Sequence, residues 1–513
     1  MGRLIKKIGS ILFSRLIITA LLVLLQVLFI GFEIWKLSSY YVYIDIALRI
    51  ISLGAVIFLL YRHSNASVKI SWIVLIMLVP LLGGLIYILF GHVFMFKRLR
   101  KNVDRAEKAT KESYHPQNEV WNEIAAENRQ VANLCYYIGN YSYTPVYKNT
   151  KNTYFRIGEE FWYSLLKDLE KAEKFIFVEY FILEEGDMWD SVHEILRRKV
   201  AEGVEVRVMY DDVGSVFVLP NHYDELLERE GIKSVAFNKL FPLMAIILNN
   251  RDHRKIVSID GKIAYTGGVN MADEYINRKV KYGHWKDTGI RVEGEAARSF
   301  TVMFLQMWNA MRPTEVDYSP YLFEFPKNSF QDGYVQPYGD SPLDNETLGE
   351  NIYMNIINGA RDYVWLYTPY LIVDDAMIQS LCLAAKRGVD VRIVTPGIPD
   401  KKFAYWLTQS NYGVLIKSGV RILQYTPGFI HAKCFLCDGE IATVGTINMD
   451  YRSFYHHFEC GTLLYRTSVT ESLKKDMLEV FAVCEEVTPE WLKQHFATNF
   501  LFGPILKLMA PLF

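Results

Sequence analysis

The sequence has few cysteines and almost no net charge. Its six cysteines are scattered along 513 residues, which favours a reducing compartment over a disulfide framework. Cys434 and Cys437 form a C-x-x-C pair, but no second pair of cysteines or histidines stands at zinc spacing, so we predict no metal and no redox chemistry there. The formal net charge of −1 gives no general attraction to a polyanion, which argues against nucleic acid as the partner.

Charged residues are nearly missing from three runs in the first hundred positions. Residues 16–35 and 70–90 are each about 20 residues long and almost wholly apolar, enough to cross the hydrocarbon core of a bilayer. Residues 42–61 contain Asp45 and Arg49, which stand four apart and can pair on one helix face, so we predict a third span there. The first run lacks the small-residue cleavage site of a signal peptide, so we predict that the anchor is retained.

Basic residues flank these runs at both ends, as Arg3, Lys6, Lys7 and Arg15 before them and Lys97, Arg98, Arg100, Lys101 and Arg105 after them. Both clusters favour the cytoplasmic side, which an odd number of spans cannot satisfy. Either one segment is re-entrant or interfacial, or one of the two clusters does not lie on the cytoplasmic side. The second cluster is denser and the free cysteines agree with it, so we predict that the large remaining part of the chain is cytoplasmic. The same cluster is predicted to attract anionic membrane lipids.

Composition and patterning divide the chain into five segments. Residues 1–100 form the transmembrane anchor of two to three helices, and the polar residues 101–140 form a helical linker. Two α/β halves follow at 141–330 and 331–490, and their junction is rich in polar, glycine and proline residues. Residues 491–513 are apolar but interrupted by prolines, and we predict an interfacial tail that lies on the bilayer instead of a helix packed on the domain.

The two halves repeat the same order of patterns. KFIFVEYFI (174–182) matches YVWLYTPYL (363–371), and the strand-like run that begins at Gly203 matches the one that begins at Gly388. Continuous apolar runs separated by helical stretches predict the buried strands of an α/β fold. The offset between the copies shrinks from 189 to 185 to 178 residues along the chain, as differences in loop length would cause. The sequence therefore predicts a duplicated domain.

Each half carries one copy of the pattern H-x-K-x4-D, and the six residues are the candidate catalytic set: His253, Lys255, Asp260, His431, Lys433 and Asp438. Alternate side chains of a strand share one face, so each histidine stands beside its lysine. The two copies predict half-sites that close on one phosphate. A single histidine is usually structural and an aspartate before glycine is usually a turn residue. Turns best explain the two aspartates, while the duplication favours function for the rest.

The glycine after each aspartate predicts a two-residue hairpin turn. Residue numbers that sum to 521 then pair in the first hairpin, and those that sum to 877 pair in the second. This register places Gly268 opposite the first histidine and Thr446 opposite the second, where small side chains leave room for a phosphate. It also places Asn270 and Asn448, each 17 residues after its histidine, on the histidine face. We therefore predict that both asparagines bind phosphate oxygens.

These motifs resemble the phospholipase D superfamily over about residues 140–490, and most closely its bacterial cardiolipin synthases. The narrower resemblance is carried by SWIVLIMLVPLLGGLIYILFG (71–91), VEYFI (178–182), GGVNMADEY (267–275), HWKDTGIRVEG (284–294) and GTINMDYRSFYHHFE (445–459). The resemblance implies an α/β fold of two phospholipase D-like domains, with two mixed sheets flanked by helices and related by a pseudo-twofold axis. It also implies that an N-terminal transmembrane helical anchor precedes them, in a multi-pass protein of the bacterial cell membrane.

The same resemblance implies transfer of a phosphatidyl group through a phosphohistidine. His253 is assigned as the nucleophile and His431 as the general acid and base, and the two roles could be exchanged. Lys255, Lys433 and both asparagines would hold the non-bridging oxygens, with no metal and no cofactor. Two phosphatidylglycerol molecules would then give cardiolipin and glycerol. The alternative is a phospholipase D-type hydrolase or another phosphatidyltransferase; a nuclease is less favoured, and a non-catalytic scaffold would not keep both motifs.

An acidic residue downstream of each motif is expected, by this resemblance, to orient the histidine and fix its tautomer. Asp287 and Glu459 match these positions, 34 and 28 residues after the histidine of their own half. Glu274 is the competing candidate in the first half. Tyr180 and Tyr370 follow the repeated first strands and are predicted either to border the lipid entrance or to pack in the core.

Overall fold

The fold is described from a computed structural model of the chain. It has two compact units, one of Met1–Arg98, Leu240–Asn249 and Ile505–Phe513 and the other of Leu99–Lys239 and Asn250–Pro504. The residues that the structure describes are 28, 39–61, 65–78, 83–84, 87, 99–103, 105–106, 118–239, 250–315, 317–344, 346–494 and 503–512.

The smaller unit contains helices α1 (Ser39–Tyr61) and α2 (Ala66–Leu78). Leu59 of α1 and Ile76 of α2 are buried in one small hydrophobic cluster with Tyr87. Nothing in the described residues of the chain forms a helix long and apolar enough to cross a membrane.

The predicted membrane spans fall only in part on described residues. The run at 16–35 lies outside them apart from Leu28, and the run at 70–90 is described only in part. The third predicted span, 42–61, coincides with α1, but the side chain of Asp45 is outside the description, and with it the predicted pairing with Arg49.

The first half of the larger unit is built on a mixed sheet, as expected. Its main sheet has the strand order β1-β9-β7-β6-β2-β3-β4, in which β2, β3 and β4 are parallel and the other neighbours antiparallel. The strands of this half are β1 (Thr150–Phe155), β2 (Phe175–Tyr180), β3 (Glu205–Asp211), β4 (Lys233–Phe237), β5 (Arg251–Asp252), β6 (Ile256–Ile259), β7 (Ile263–Gly267), β8 (His284–Lys286) and β9 (Gly289–Gly294).

Helices cover both faces of this sheet. The helices between residues 118 and 311 are α3 (Asn118–Glu127), α4 (Arg129–Tyr141), α5 (Gly158–Leu169), α6 (Asp187–Ala201), α7 (Asp212–Ser215), α8 (Tyr223–Arg229) and α9 (Ala297–Met311). Of these, α5, α6, α8 and α9 pack on this sheet. All six residues of β2 are buried, as expected from the apolar run FIFV that opens the strand, and the buried Glu179 pairs with Arg254. Val178 packs in the cluster with α5 and α6, whereas the ring of Phe177 stacks on Phe304 of α9, 4.7 Å between centroids.

The second half repeats this architecture. Its sheet has the order β10-β19-β17-β16-β11-β13-β14-β20. The strands are β10 (Tyr334–Asp340), β11 (Tyr363–Tyr367), β12 (Leu371–Ile372), β13 (Asp390–Pro396), β14 (Arg421–Tyr425), β15 (Gly428–Ile430), β16 (Cys434–Cys437), β17 (Ile441–Gly445), β18 (Met449–Asp450), β19 (His457–Tyr465) and β20 (Cys484–Glu486). The helices are α10 (Leu348–Gly359), α11 (Asp375–Lys386), α12 (Lys402–Lys417), α13 (Tyr451–Tyr455), α14 (Ser468–Ala482), α15 (Pro489–Gln494) and α16 (Gly503–Met509).

One hydrophobic core is shared by the two halves. Ile256 and Ala264 of the first half are buried in the same cluster as Val444 and Leu464 of the second. Burial of each large apolar side chain contributes roughly 1.5–3 kcal/mol, so this core holds the halves together. Two short parallel pairings also cross between them, β5 with β19 and β8 with β15.

The two hairpin turns are one residue longer than predicted. Ile259 pairs with Ile263, and Cys437 pairs with Ile441, so paired numbers sum to 522 and 878 and the predicted register was wrong by one. Each turn has three residues, and the aspartate and glycine that begin it are both left-handed: Asp260 (φ 54°), Gly261 (φ 67°), Asp438 (φ 51°) and Gly439 (φ 69°). Aspartate and glycine tolerate this conformation better than other residues.

Helices α3 and α4 of the predicted linker and the start of the predicted tail pack on the second half. Helices α3 and α4 place Ile124 and Ile138 in the core cluster of that half, and the side chain of Asn128 caps α4 by accepting from two backbone amides. Trp491 and Leu492 pack against the same cluster. The start of the predicted interfacial tail therefore lies on the domain, while residues 495–502 are outside the described residues.

Candidate active site

Both H-x-K segments lie at the carboxyl ends of parallel strands. Ile256 of β6 pairs with Glu179 near the carboxyl end of β2, and Cys434 of β16 pairs with Tyr367 at the end of β11. The residues that precede Ile256 and Cys434 continue past that edge as extended chain outside the strands. Open α/β sheets bind ligands at this edge. The duplicated topology therefore places both motifs at equivalent positions.

Each H-x-K segment is tied to the other half by its backbone. The His253 amide donates to the carbonyl of Phe458 over 2.9 Å, and the His431 amide donates to the carbonyl of Lys286 over 2.8 Å. These bonds extend the two pairings that cross between the halves, β5 with β19 and β8 with β15. The two motifs are thus brought to one site, as predicted from the duplication.

The orienting carboxylates are the two residues predicted, but they cross over. Glu459 lies 2.9 Å from Nδ1 of His253, and Asp287 lies 2.7 Å from Nδ1 of His431. The sequence spacing suggested that each carboxylate serves the histidine of its own half. The pairing is the opposite, because β19 and β8 carry the acidic residues across to the partner half. Both carboxylates are fully buried.

These contacts fix the state of each imidazole. An Nδ1 that donates to a carboxylate leaves Nε2 with a free lone pair. Nδ1 of His431 also lies 2.9 Å from Nζ of Lys433, but a nitrogen that donates to Asp287 cannot accept from an ammonium, and the carboxylate contact is the shorter. Burial lowers the pKa of His253 well below its usual value and that of His431 to about 4. His253 is therefore neutral and nucleophilic in the free site, whereas the proton that His431 needs as a general acid must be stabilised by Asp287 and by the negative charge of a bound phosphate.

The two carboxylates differ in their pKa. Burial raises the pKa of Glu459 well above its usual value. Burial alone would also raise the pKa of Asp287, but the charge and hydrogen bond of His431, with a backbone amide, outweigh it and lower the pKa. An ionised Asp287 stabilises a proton on His431. This asymmetry favours His431 as the general acid.

The two lysines are buried, and each ammonium donates to the backbone of its own motif. Nζ of Lys255 donates to the carbonyl of His253 over 2.7 Å, and Nζ of Lys433 donates to the carbonyl of His431. Burial lowers the pKa of Lys255 to about 8 and that of Lys433 to about 7. A buried ammonium without a carboxylate partner is costly, so an anion bound between the lysines is stabilised.

The asparagines stand near the histidines with different partners. Nδ2 of Asn270 donates to the hydroxyl of Tyr275 over 2.7 Å, and its Oδ1 accepts from the amide of Ile182. One amide hydrogen of Asn270 therefore remains for a phosphate oxygen. Asn448 is buried, and no described residue hydrogen-bonds to its Oδ1. Phosphate binding by both asparagines stays a prediction.

The small residues that were predicted opposite the histidines make room for carboxylates instead. A Cβ on Gly268 would lie 2.1 Å from Oδ1 of Asp287, so only glycine leaves space for this side chain. At the equivalent position of the second half, the hydroxyl of Thr446 donates to Oε2 of Glu459 over 2.5 Å. Both positions therefore support the orienting carboxylates, because the true register shifts them away from a direct pairing with the histidines.

The aspartates of the motifs are structural, which corrects their place in the candidate catalytic set. The Asp260 carboxylate accepts from the amides of Glu173, Lys174 and Phe175, and the Asp438 carboxylate accepts from those of Arg361, Asp362 and Tyr363. Each binds the chain that enters the central strand, at the end of the hairpin opposite the histidine. Their charge fixes the start of β2 and of β11.

The remaining residues that the sequence suggested are Glu274, as an orienting carboxylate, and Tyr180 and Tyr370, at the lipid entrance or in the core. Glu274 pairs with Lys281 and not with a histidine, so it was wrong as the orienting residue. Tyr180 is fully buried in the first core, which selects packing for it. Tyr370 is half-buried and donates to Asp400 over 2.6 Å.

The sequence patterns did not single out His457, which lies beside the first histidine. Its ring centroid is 5.4 Å from that of His253, and it stands in the quoted motif GTINMDYRSFYHHFE two residues before Glu459. In the described part of the chain, ligand atoms of His253, His457 and Glu459 lie within 4.8 Å of one another. The charges of Lys255, Arg251 and Arg452 also act on His457, and this positive environment disfavours a metal ion.

The fold and site define a class of protein. Two α/β halves supply one H-x-K motif each, and this duplicated motif is the pattern by which the sequence resembles the phospholipase D superfamily. A family model described as cardiolipin synthase, PLD-like domain, matches residues 165–308 and 353–481. A second model, phospholipase D-nuclease N-terminal, matches residues 50–92.

Relatives narrow the class further. A Streptococcus mutans protein of uncharacterised function is 43% identical over 460 residues, 90% of this chain and 100% of that protein. A Geobacillus kaustophilus cardiolipin synthase is 32% identical over 88% of this chain and 90% of its own, and one from Listeria welshimeri is 31% identical over 92% and 100%. The chain belongs to the cardiolipin synthase family of phospholipase D-like enzymes. The predicted family and enzyme class, a phosphatidyltransferase, are thereby confirmed.

A solved structure supports the fold alone. Phosphatidylserine synthase from Haemophilus influenzae superposes with a TM-score of 0.55 at 14% identity, over 74% of this chain and 100% of that one. The duplicated α/β fold with mixed sheets and helices was correctly predicted.

Proposed function

We propose that this chain joins two phosphatidylglycerol molecules into cardiolipin and glycerol through a phosphohistidine. The observation that carries the proposal is the pair of buried histidines, each with Nδ1 bound to a carboxylate and Nε2 free. One such nitrogen attacks phosphorus and the other handles the proton. The relatives named as cardiolipin synthases support phosphatidylglycerol as the lipid on both sides of the reaction.

The first step transfers the phosphatidyl group to the enzyme. Nε2 of His253 forms a bond to phosphorus while the bond from phosphorus to the glycerol oxygen breaks, and a protonated His431 gives its proton to that oxygen. Lys255 and Lys433 hold the non-bridging oxygens, together with the amide groups of Asn270 and Asn448. The ionised Asp287 beside His431 supports this assignment of roles, although the pseudo-twofold geometry is compatible with their exchange.

The second step releases the product. A hydroxyl of the acceptor lipid gives its proton to His431, its oxygen forms a bond to phosphorus, and the bond between phosphorus and His253 breaks. The histidines return to their starting states. The enzyme is regenerated after each reaction, and in both steps the two lysines supply the positive charge beside the phosphate.

The test is a reconstituted reaction. The full-length protein in phosphatidylglycerol vesicles, with a chelator present, is expected to form cardiolipin and glycerol in equal amounts by mass spectrometry. His253→Ala and His431→Ala are each expected to lower the rate by at least about a thousandfold. Formation of phosphatidic acid without cardiolipin would instead identify the hydrolase.

We also propose that residues 1–100 anchor the enzyme as a multi-pass protein of the bacterial cell membrane, with the larger unit in the cytoplasm. The apolar runs, the basic cluster after residue 96 and the N-terminal family match support this proposal. Protease or label access to residues beyond 110 from outside intact cells would contradict this topology.

A further inference from the structure

A buried polar cluster beside His253 has donors that no protein group uses. His457 is 8% exposed, and among the described residues neither of its ring nitrogens has a hydrogen-bond partner, since Oε1 of Glu459 lies 3.7 Å from Nδ1. Its ring lies 6.4 Å from that of Phe181, which also contacts His253. Buried polar atoms are almost always hydrogen-bonded, so an imidazole left unpaired beside the reacting histidine indicates a missing ligand.

Two arginines complete this cluster, which we call the His253 flank: Arg251, Arg452 and His457. Nε of Arg452 is buried and has no hydrogen-bond partner within the part of the chain that the structure describes, and the charges of both arginines act on His457. Arg251 pairs with Asp211 at 3.5 Å, and its β5 backbone pairs with that of His457 in β19. The cluster is therefore built from both halves of the larger unit.

Nearby carboxylates are largely committed to the backbone. Asp211 accepts from the amides of Val213, Gly214 and Asp252. Asp450 caps α13 by accepting from the amide of Ser453. Hydrogen bonds to these amides occupy lone pairs of the two carboxylates that would otherwise be open to Arg452.

The pseudo-symmetric positions beside His431 carry different chemistry. The pairing of β8 with β15 sets Phe429 against Trp285, where the His253 flank sets Arg251 against His457. Four residues after the repeated asparagine, Glu274 stands where the second half has Arg452. Glu274 already pairs with Lys281. The positions equivalent to Arg251, His457 and Arg452 are thus occupied by two aromatic residues and one acidic residue. We infer that this fold does not require positively charged side chains at the His253 flank.

We propose that Arg251, Arg452 and His457 form a second phosphate subsite, which binds the phosphodiester that the acceptor lipid already carries. This inference rests on the proposed function. The acceptor attacks through a glycerol hydroxyl, and the same glycerol bears a phosphate at its other end. That phosphate remains close to the catalytic histidines in the second step, whereas water and free glycerol bring no such anion.

The subsite would separate synthesis from hydrolysis. Arg452 and His457 donate charge-assisted or neutral hydrogen bonds to phosphate oxygens, and this binding energy is available only to a phosphate-bearing acceptor. Such an acceptor is held with its hydroxyl beside the phosphohistidine, which raises its effective concentration there. The enzyme therefore selects acceptors by a charge that lies outside the reacting bonds.

The experiment compares two soluble acceptors that differ only in the phosphate. Full-length protein in mixed micelles with phosphatidylglycerol as donor receives labelled glycerol or labelled glycerol phosphate, and kcat/KM is measured for each. Wild-type protein is expected to prefer glycerol phosphate by at least about tenfold, the value of one charge-assisted hydrogen bond. Arg452→Gln and His457→Gln are expected to lower this ratio about tenfold each.

Matched variants separate this role from a structural one. Glu274→Gln changes the equivalent position beside His431 and is expected to keep the wild-type ratio, and Arg452→Lys is expected to recover part of the preference. An unchanged ratio in both Arg452→Gln and His457→Gln, or equal losses with both acceptors, would overturn the subsite. A thermal melt of Arg452→Gln and of His457→Gln shows whether each variant folds. If one of them does not fold, the acceptor preference of the other variant decides whether the subsite exists.

Failure of the proposed function gives a different result. If the protein transfers to neither acceptor and only hydrolyses the donor, it is not a synthase. Calorimetric titration with inorganic phosphate then still shows whether the second phosphate subsite exists. The wild-type protein is expected to bind two phosphates, and Arg452→Gln is expected to bind one. Equal numbers of phosphates in both proteins would overturn the inference.

Discussion

Asp287 of the first half lies 2.7 Å from Nδ1 of His431 in the second half, 144 positions later in the chain. The reciprocal contact joins Glu459 to His253. Each half therefore contains a histidine whose tautomer is set by the other half. The reacting geometry depends on the association of the halves and not on either one alone.

Removal of the charge at these carboxylates tests that dependence. Asp287→Asn is expected to lower the transfer rate about 10²–10⁴-fold, since an amide no longer stabilises a protonated His431 and permits the wrong tautomer. Lipid binding, measured by vesicle co-sedimentation, is expected to stay near wild type. Glu274→Gln is the control, because this carboxylate does not reach a histidine. A rate for Asp287→Asn within threefold, roughly, of wild type would remove the orienting role.

Gly268 offers a steric test of the same contact. Gly268→Ala places a Cβ within 2.1 Å of Oδ1 of Asp287 in the present geometry, so the carboxylate must move, and a displacement of this size costs about 10²-fold in rate. The initial rate of cardiolipin formation is the measurement. Gly413→Ala, where no atom lies within 4 Å of the added Cβ, is expected to keep the wild-type rate. Full activity of Gly268→Ala would show that Asp287 is not tightly placed.

The motif aspartates are expected to affect stability and not chemistry. Asp260→Ala leaves three backbone amides without their acceptor, and we expect a loss of about 2 kcal/mol in the free energy of unfolding. Asp438→Ala is expected to cost less, because Asp438 is half-buried whereas Asp260 is buried. Denaturant unfolding measures both. A rate per folded molecule that falls more than tenfold, roughly, would return Asp260 to the catalytic set.

The pKa of Lys433 predicts the pH above which the transfer activity declines. Burial lowers its pKa to about 7, so its charge is present below pH 7 and is lost as the pH rises through 7. The kcat/KM of the free enzyme is expected to fall above that pH. In Lys433→Arg the guanidinium stays charged, and the decline is expected to move to about 8, the pKa of Lys255. If kcat/KM of Lys433→Arg still declines near pH 7, the decline belongs to the titration of another group.

The sequence predicted the repeat and the residues of the site better than their pairing. The H-x-K copies are recognisable because residue type and spacing are local properties, and the two acidic residues were identified through the resemblance to the phospholipase D superfamily. The turn length was missed because two consecutive left-handed residues, Asp260 and Gly261, lengthen the hairpin by one residue, and the sequence D-G suits both turns. The crossing of Asp287 and Glu459 depends on pairings between distant strands, which no local pattern contains. His457 was missed because one histidine beside another carries no periodic signal.

The crossed carboxylates also constrain how such a chain can arise. A lone half would hold a histidine without its carboxylate and a carboxylate without its histidine. Two identical copies can supply both only as a symmetric homodimer, in which every change at one site appears at the other. Fusion of the copies into one chain ends that symmetry, and it lets Trp285 and His457 occupy equivalent places. The covalent joining of the halves thus frees the two sides of one active site to specialise for different substrates.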